Sequence, residues 1–381
     1  MPHILLYQPY YHFPGHFKSQ FHAFQKNLTE LGYSCLGVLG LQQSDIIEKS
    51  MDIYPFHYKT QNRTIRIFTN LMGFSRVRHV LQQEEIAAIH FLDIEIFLLF
   101  LFIRFNRPLF KNIRIVITQH SINRLQNRSS PFVRMYKRFI FKAFAYLEQH
   151  HDLKILTNGK NITKWITSEG MLSTETVETI WWGSDYETDK IDWEEKTPNS
   201  FLFYGIIRKD KNLEFLLDTI SNIDQPFHLH IAGYPRDYSP DDLHKLLHKY
   251  GLTDQQVTLE LEYLSEERIA DLLSSSTFIL LPYNRDNLSN SGPLIDSIQF
   301  GCIPIASGYG ERRELITNFD VGYLFYFDHS PTLIDVLNNC YKNPDKNSYY
   351  QKNIEDIKKR FTWEWIIRDL VINKKVYDPK I

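Results

Sequence analysis

Short apolar segments alternate with longer segments of helical periodicity along most of the chain. At the start, this pattern predicts a strand at 3–7, a helix at 16–31 and a second strand at 35–39. Apolar side chains recur every three or four residues within the helix, and Gly32 marks its end. Strand, loop, helix and strand form the first unit of a doubly wound sheet, so the pattern indicates an α/β fold.

The alternation restarts after an acidic, polar stretch at 188–199. The remaining predicted strands lie at 88–91, 113–118, 154–157, 200–204, 228–232, 257–260, 278–281 and 303–306. We therefore predict two Rossmann-like, doubly wound domains at 1–183 and 200–360, with a linker at 184–199. Because open α/β sheets bind ligands beyond the carboxyl ends of their strands, we expect the two domains to face each other across a cleft.

Charge is unevenly distributed in this chain of 381 residues with a formal net charge of −2. The stretch Lys59–Lys142 holds fifteen Lys and Arg and only four Asp and Glu. Its longest apolar run, Ile96–Ile103, is too short to span a bilayer, which requires ~20 residues. The run is either a core helix or part of a basic face that lies on anionic lipid. No recognition motif accompanies the charge, so we expect no nucleic-acid partner.

The cysteines and the N-terminus bear on the compartment. The three cysteines form no C-x-x-C pair, which argues against a disulfide framework or a zinc site. The first residues lack a basic segment followed by a long apolar one, so we expect no signal peptide. A cytoplasmic location follows, with a peripheral position on the inner face of the membrane as the alternative.

Two cations follow the predicted strand at 200–204. Gly205 ends the strand, and Arg208 and Lys211 precede the next predicted helix. Cations at the end of a parallel strand suit a diphosphate, since charge-assisted donors compensate its negative charge as it leaves. The alternative is a solvated basic loop.

A second candidate is the helix start around Ser291, Gly292 and Pro293. Ser291 suits the cap, Pro293 suits the first helical position, and Gly292 lets a ligand approach the backbone. The free amides of such a helix end favour a phosphate, and Asp296 lies one turn in, where it can accept hydrogen bonds from a ribose. The alternative is an ordinary helix start.

Weaker candidates are His120 after the strand at 113–118, His16 in the first loop, and the Gly308–Gly310 turn after the strand at 303–306. A lone His is more often structural, and a Gly-x-Gly turn alone is weak support for a ligand site. No metal-ligand spacing is present in the sequence, so no metal and no cofactor are expected.

Five segments in order resemble the retaining glycosyltransferases of family 4, also called group 1 glycosyltransferases. They are FLFYGIIRKDKNLEFLLD, HLHIAGYP, YLSEERIADLLSSSTFILLPY, SGPLIDSIQFGCIPIASGYGERREL and FTWEWIIRDLVINKKVY. The first domain is similar to the family only through PGHFKSQFHAF and VITQHS. The resemblance implies the GT-B fold and a terminal helix, within 361–381, that crosses back to the first domain.

The resemblance also implies roles for individual residues. Arg208 and Lys211 would hold the donor diphosphate, and Ser291 and Gly292 would contact it through the backbone. Asp296 takes the place of the family's ribose-binding Glu, and His120 that of its donor-sugar His. The donor-binding set is completed by Gly15, Gly205 and Asn290.

Leu288 departs from the family pattern. It occupies the position where the family has a Glu near the donor sugar, eight residues before Asp296. Asn290 or Asn287 can substitute for that Glu by hydrogen bonding.

The resemblance implies transfer of a hexose-type sugar from a nucleotide-diphosphate donor to a glycan or lipid-linked acceptor in cell-surface polysaccharide synthesis, with retention of configuration. The catalytic set is His120, Arg208 and Lys211. Two alternatives stay open: a non-hydrolysing sugar-nucleotide epimerase, which would change the sugar without an acceptor, and a non-catalytic partner protein, which would bind neither UDP nor GDP.

Overall fold

The computed structural model describes residues 3–12, 16–40, 50–52, 63–120, 131–168, 172–288 and 291–378. The chain divides into two compact units. The first comprises Met1–Trp181 and Trp363–Ile381, and the second comprises Trp182–Thr362.

The first unit is a parallel sheet of seven strands in the order β3-β2-β1-β4-β5-β6-β7. Its strands are β1 His3–Gln8, β2 Ser34–Leu39, β3 Ser50–Asp52, β4 Ile86–Phe91, β5 Arg114–Gln119, β6 Leu153–Asn158 and β7 Val177–Ile180. Its helices are α1 Phe17–Glu30, α2 Arg63–Gln83, α3 Ile96–Phe105, α4 Pro131–His150 and α5 Lys160–Ser168. The strands are rich in buried aliphatic residues, as expected of a sheet covered by helices.

The second unit is a parallel sheet of six strands in the order β10-β9-β8-β11-β12-β13. Its strands are β8 Thr197–Tyr204, β9 His228–Ala232, β10 Val257–Glu260, β11 Ser276–Leu281, β12 Ile303–Ser307 and β13 Tyr323–Phe325. Its helices are α6 Leu213–Ile220, α7 Pro240–Lys249, α8 Glu266–Ser275, α9 Gly292–Gln299, α10 Gly310–Phe319, α11 Leu333–Lys342 and α12 Pro344–Ile357. The chain order reverses between β8 and β11, and the carboxyl ends of strands at such a switch point are where open sheets bind ligands.

The C-terminal segment belongs to the first unit. It contains α13 Trp363–Ile372, whose Trp363 ring packs against Phe24 of α1 with ring centroids 5.7 Å apart. Farther on, the buried Tyr377 hydroxyl bonds His90 Nδ1 at 2.8 Å.

The segment predicted as a linker is anchored on the second unit. The Ser184 hydroxyl donates to Asp296 at 2.7 Å, and the Thr188 hydroxyl donates to the carbonyl of Gln299 at 2.6 Å. The buried Lys196 ammonium donates to the carbonyls of Leu273, Ser274 and Ser276. β8 also begins at Thr197, three residues earlier than predicted, because Thr197 pairs with Ser276 of β11.

The apolar run at 96–103 forms most of α3, in which Ile96, Leu99 and Ile103 are buried while Phe97 and Phe105 are exposed. Within the described ranges, no helix is both long and apolar enough to cross a membrane.

Candidate functional site

Gly205 is the turning point between β8 and the loop that carries the predicted cations. Its φ of +98° is one that glycine adopts without steric cost. A Cβ added there would lie 3.0 Å from Lys211 Nζ and 3.5 Å from Pro293 Cγ. Lys211 and the first turn of α9 therefore converge on the face of Gly205.

Lys211 is a buried cation within this crowded region. Its side chain is 6% exposed, and its Nζ donates to the carbonyl of Tyr204 at 3.2 Å. The ammonium also lies 5.4 Å from the centroid of the Tyr283 ring. An ammonium has three N–H donors, so the bond to Tyr204 leaves capacity for an anionic ligand.

Arg208 is held by a carboxylate of its own loop. Its Nε and Nη2 each lie 2.9 Å from an oxygen of Asp210, and its side chain is 38% exposed. Asp210 also accepts from Asn287 Nδ2 at 2.9 Å, and its carbonyl accepts from the backbone N–H of Asn284. These bonds tie the cationic loop to the segment that leads into α9.

The start of α9 is a capped and accessible helix end. Ser291 is its N-cap and accepts from the backbone N–H of Leu294 at 3.3 Å, and the Tyr283 hydroxyl lies 3.2 Å from Ser291 Oγ. Gly292 is the first helical residue and is exposed, which places Pro293 second and not first as predicted. The exposed amides of such a helix end attract negative charge.

Asp296 lies one turn into α9, on the face of Gly292, where an added Cβ would be 4.0 Å from Asp296 Oδ2. Its two oxygens accept from the hydroxyls of Ser184, at 2.7 Å, and Tyr204, at 2.6 Å. Burial raises the pKa of Asp296 to about 7, against the opposing effect of these two hydrogen bonds. Each oxygen keeps a second lone pair, so a ligand hydroxyl can still be bound.

A pair of aromatic rings continues this edge of the second sheet. Tyr234 follows β9 and Tyr263 follows β10, and their rings stack with centroids 4.4 Å apart. The carbonyl of Tyr234 accepts from the backbone N–H of Ile207, which joins the pair to the cationic loop. Both rings are exposed, at 41% and 64%, and offer a surface on which a planar ring can stack.

The first unit has its own cluster at the carboxyl ends of β1, β4 and β5. Among the described residues, ligand atoms of His16, Asp93 and His120 all lie within 4.8 Å of one another. His120 Nε2 donates to the carbonyl of Leu92 at 2.8 Å, so its Nδ1 is the acceptor of the 3.3 Å bond from Asn158. Burial, with His120 nearby, lowers the pKa of His16 to about 3, so His16 is neutral at physiological pH.

The structure gathers most of the predicted residues into two groups. Gly205, Lys211, Ser291, Gly292 and Asp296 come together in the second unit, and Arg208 is joined to them through Asp210. His120 lies in the first unit with His16. Gly15 and Asn290 fall outside the residues that the structure describes.

Sequence reasoning missed four side chains that complete these groups. Tyr204 lies in the predicted strand at 200–204, and Tyr283 lies just beyond the predicted strand at 278–281, so neither position indicates a polar role. Asp93 and Asp210 are isolated acids whose partners are distant in the sequence. His16, Asp93 and His120 lie in three separate loops, so the sequence shows no metal-ligand spacing for this cluster.

Comparison with known proteins places these sites in context. Residues 185–357 match the family model described as "Glycosyl transferases group 1". A GDP-mannose:glycolipid 4-beta-D-mannosyltransferase of Xanthomonas campestris pv. campestris is 26% identical over 133 residues, which is 34% of this chain and 36% of that protein. The alignment thus spans about a third of the length of the curated relatives that the chain matches.

Solved structures resemble the chain over nearly its whole length. The sucrose-phosphate synthase of Thermosynechococcus elongatus has a TM-score of 0.72 at 16% identity, covering 97% of each chain. A glycosyltransferase of Rickettsia africae ESF-5 has a TM-score of 0.71 at 13% identity, covering 99% of this chain and 98% of that one. Anabaena Alr3699/HepE, in complex with UDP-glucose, has a TM-score of 0.68 at 14% identity, covering 98% and 100%. These likenesses confirm the predicted GT-B fold.

Proposed function

Since residues 185–357 match the family model of the group 1 glycosyltransferases, we propose that the protein transfers a hexose-type sugar from a nucleotide-diphosphate donor. The proposed acceptor is a glycan or a lipid-linked molecule in cell-surface polysaccharide synthesis. The observation that carries the proposal is the convergence of Lys211 and the start of α9 on Gly205. A buried ammonium and an exposed helix end at one place favour a pyrophosphate over a neutral ligand.

The proposed chemistry is electrostatic. As the bond between the sugar and the diphosphate breaks, negative charge grows on the leaving phosphate. Lys211, Arg208 and the amides at Gly292 stabilise that charge from fixed positions, so no reorganisation is needed at the moment of reaction. No step is assigned to a metal ion or a cofactor.

The other donor contacts follow from their places in the second unit. Asp296 would accept from the ribose hydroxyls, and Asn290, which precedes Ser291 in the sequence, remains a predicted donor-binding residue. The stacked rings of Tyr234 and Tyr263 offer the nucleobase an aromatic surface at 41% and 64% exposure. For Gly15 and His120, donor binding remains what the family resemblance predicts.

The donor itself is identified by a binding screen. The name of the curated relative includes GDP-mannose, and the Anabaena structure contains UDP-glucose. Both nucleotide sugars are therefore included in a thermal-shift series, together with dTDP-glucose. A ligand at ~100 times its dissociation constant adds about 2.7 kcal/mol of stability. Retention is tested with the donor that binds, by comparing the anomeric configuration of donor and product by NMR.

Transfer is tested with the double variant Arg208→Ala, Lys211→Ala. We expect turnover to fall by at least ~100-fold, since each charge-assisted hydrogen bond contributes ~1.5–3 kcal/mol. Lys209→Ala, an exposed lysine of the same loop, is the matched control. Unchanged turnover of the double variant would refute these assignments. A changed sugar without acceptor would indicate the epimerase, and binding of neither UDP nor GDP would indicate the non-catalytic partner.

The acceptor is proposed to be presented at an anionic membrane surface. On α4, Arg134, Arg138 and Lys142 recur every four residues and are exposed, which places them on one face of the helix. α3 packs beside α4 through Phe97 and Phe139, with ring centroids 4.8 Å apart. At its end, Phe105 is 80% exposed. Basic and apolar groups together are typical of peripheral membrane proteins.

Vesicle co-sedimentation tests this surface. Binding to vesicles with anionic phospholipid should weaken with salt and should fall in the variant Arg138→Glu, Lys142→Glu. The double reversal Lys245→Glu, Lys352→Glu, at exposed positions of α7 and α12, is the charge-matched control. Equal binding to anionic and neutral vesicles, or no effect of the double reversal, would refute a role for α4.

A further inference from the structure

Glu311, in the first turn of α10, is a buried acid that the proposed donor site does not use. Its side chain is 2% exposed, and among the described residues neither carboxyl oxygen has a hydrogen-bond partner. Buried polar atoms in folded proteins are nearly always hydrogen-bonded, so a buried carboxyl without a hydrogen-bond partner requires an explanation. A ligand that bonds the carboxyl when it arrives is one such explanation.

The carboxyl is uncharged at physiological pH. Burial and, to a lesser extent, the nearby Glu314 raise the pKa of Glu311 to about 9, against the opposing effect of Arg312. A neutral carboxyl offers one O–H donor and acceptor lone pairs. That combination matches a sugar hydroxyl, which also both donates and accepts.

The start of α10 packs directly against Leu288. The backbone N–H of Glu311 lies 3.4 Å from the carbonyl oxygen of Leu288. A Cβ added to Gly310 would be 2.6 Å from Leu288 Cα, so only glycine permits this approach, and its φ is +62°. Arg312 Nη2 donates to the carbonyl of Asn287 at 2.6 Å and fixes the same contact from the next residue.

Leu288 is also the position where the family resemblance places a sugar-binding carboxylate. This chain has no carboxyl at Leu288. The adjoining helix α10 carries one at Glu311, whose backbone contacts that of Leu288. Arg312 is fully buried beside Glu311, and its bond to the carbonyl of Asn287 holds this loop in place.

We propose that Glu311 binds a hydroxyl of the transferred sugar and takes over the role of the carboxylate absent at Leu288. The proposal deepens the proposed function and rests on it. Glu311 would act on the sugar and not on the diphosphate, which is assigned to Lys211, Arg208 and the start of α9.

The test compares two ligands by calorimetry: the sugar nucleotide found in the donor screen, and the same nucleoside diphosphate without the sugar. Glu311→Leu removes both the donor and the acceptor, whereas Glu311→Gln keeps both. We expect Glu311→Leu to weaken sugar-nucleotide binding by about tenfold, the equivalent of one good hydrogen bond, and to leave diphosphate binding unchanged. Glu311→Gln should stay within about threefold of the parent protein.

Asp345→Asn is the matched control, because Asp345 is the second residue of α12 as Glu311 is of α10, but is exposed. The proposal is overturned if Glu311→Leu weakens both ligands equally, or neither. If Glu311→Leu does not fold, Glu311→Gln and Glu311→Asp are compared instead. The proposal is supported if Glu311→Gln keeps sugar-nucleotide binding while Glu311→Asp, with its shorter side chain, loses it, and if both variants bind the diphosphate normally. Any other pattern refutes the proposal. Failure of the parent protein to bind either ligand would refute the proposed function itself.

Discussion

At the scale of single residues, two acids of the second unit have their proton affinity shifted in the same direction. Burial raises the pKa of Asp296 to about 7 and that of Glu311 to about 9. Both acids therefore keep a proton in the folded state at pH values where the unfolded chain has released it. Stability contributed by such a group is present at low pH and is lost as the pH rises toward the folded-state pKa.

We predict that Glu311→Gln removes part of this pH dependence. Between about pH 5 and pH 9, the free energy of unfolding of the parent protein should fall relative to that of Glu311→Gln, because glutamine cannot ionise. Urea denaturation at several pH values measures the difference between the two proteins. A constant difference across this range would mean that Glu311 ionises normally in the folded state.

Sequence reasoning at the residue scale found the groups whose role depends on local order. Ser291, Gly292 and Asp296 were identifiable because a cap, an open backbone and an acid one turn later follow from helix geometry alone. Glu311 was not, because its burial and its contact with Leu288 depend on how two loops pack. The ties of Arg208 to Asp210 and of Asp210 to Asn287 were hidden for the same reason.

At the scale of elements, the loop from β8 to α6 depends on the conformation of Gly205. Its positive φ turns the chain so that Lys211 reaches back over the end of the strand. The neighbouring loop is fixed to it at Gly233, where an added Cβ would lie 2.2 Å from the carbonyl oxygen of Gly205.

We predict that Gly205→Ala weakens nucleotide binding as well as stability. An alanine would be strained at φ +98° and would displace Lys211 Nζ, which lies 3.0 Å from the added Cβ. Gly251→Ala is the control, because its φ of +65° also disfavours alanine but nothing lies within 4 Å of the added Cβ. Thermal shift with and without nucleotide should show loss of the ligand-induced shift only in Gly205→Ala. Equal shifts in both variants would contradict a role for this turn.

Most elements of both sheets were predictable because parallel strands buried on both faces appear as continuous apolar runs. The strand at 228–232 and the strand at 257–260 agree with β9 and β10 to the residue. Of the four edge strands that the structure describes, only β10 was predicted; β3, β7 and β13 have three or four residues and carry little periodic signal. Which apolar residues of the run at 96–103 are buried and which are exposed could not be predicted from the sequence, because α3 contains both kinds.

At the scale of the whole molecule, the C-terminal segment completes the unit in which the chain begins. Arg114 of β5 donates to the carbonyls of Lys375 and Val376, and the Tyr377 hydroxyl bonds the fully buried His90 of β4. Residues more than 250 positions apart in the chain thus share one core.

We predict that Tyr377→Phe destabilises the first unit by ~1–3 kcal/mol, because His90 Nδ1 is left buried without this partner. Tyr33→Phe is the control, since the Tyr33 hydroxyl bonds Asp378 at the surface. Hydrogen–deuterium exchange should accelerate in β4 and β5 and not in β8 and β9. Equal acceleration in both sheets would show that the contact does not act within one unit.

The two-domain architecture followed from the restart of the α/β pattern near residue 200. The path of the preceding segment, 184–199, could not be predicted, because Ser184, Thr188 and Lys196 are held by residues 77 or more positions away in the chain. Polar residues in an acidic stretch look like a linker until their distant partners are known.

The proposed function depends on the binding of a pyrophosphate by Lys211 and the start of α9 together. Calorimetry with the nucleoside diphosphate from the donor screen tests it directly, using Lys211→Met, which keeps the apolar stem, and Lys209→Met as the control from the same loop. We expect binding to the parent protein and to Lys209→Met, and ~10–100-fold weaker binding to Lys211→Met. Equal affinity of Lys211→Met and the parent protein would contradict it.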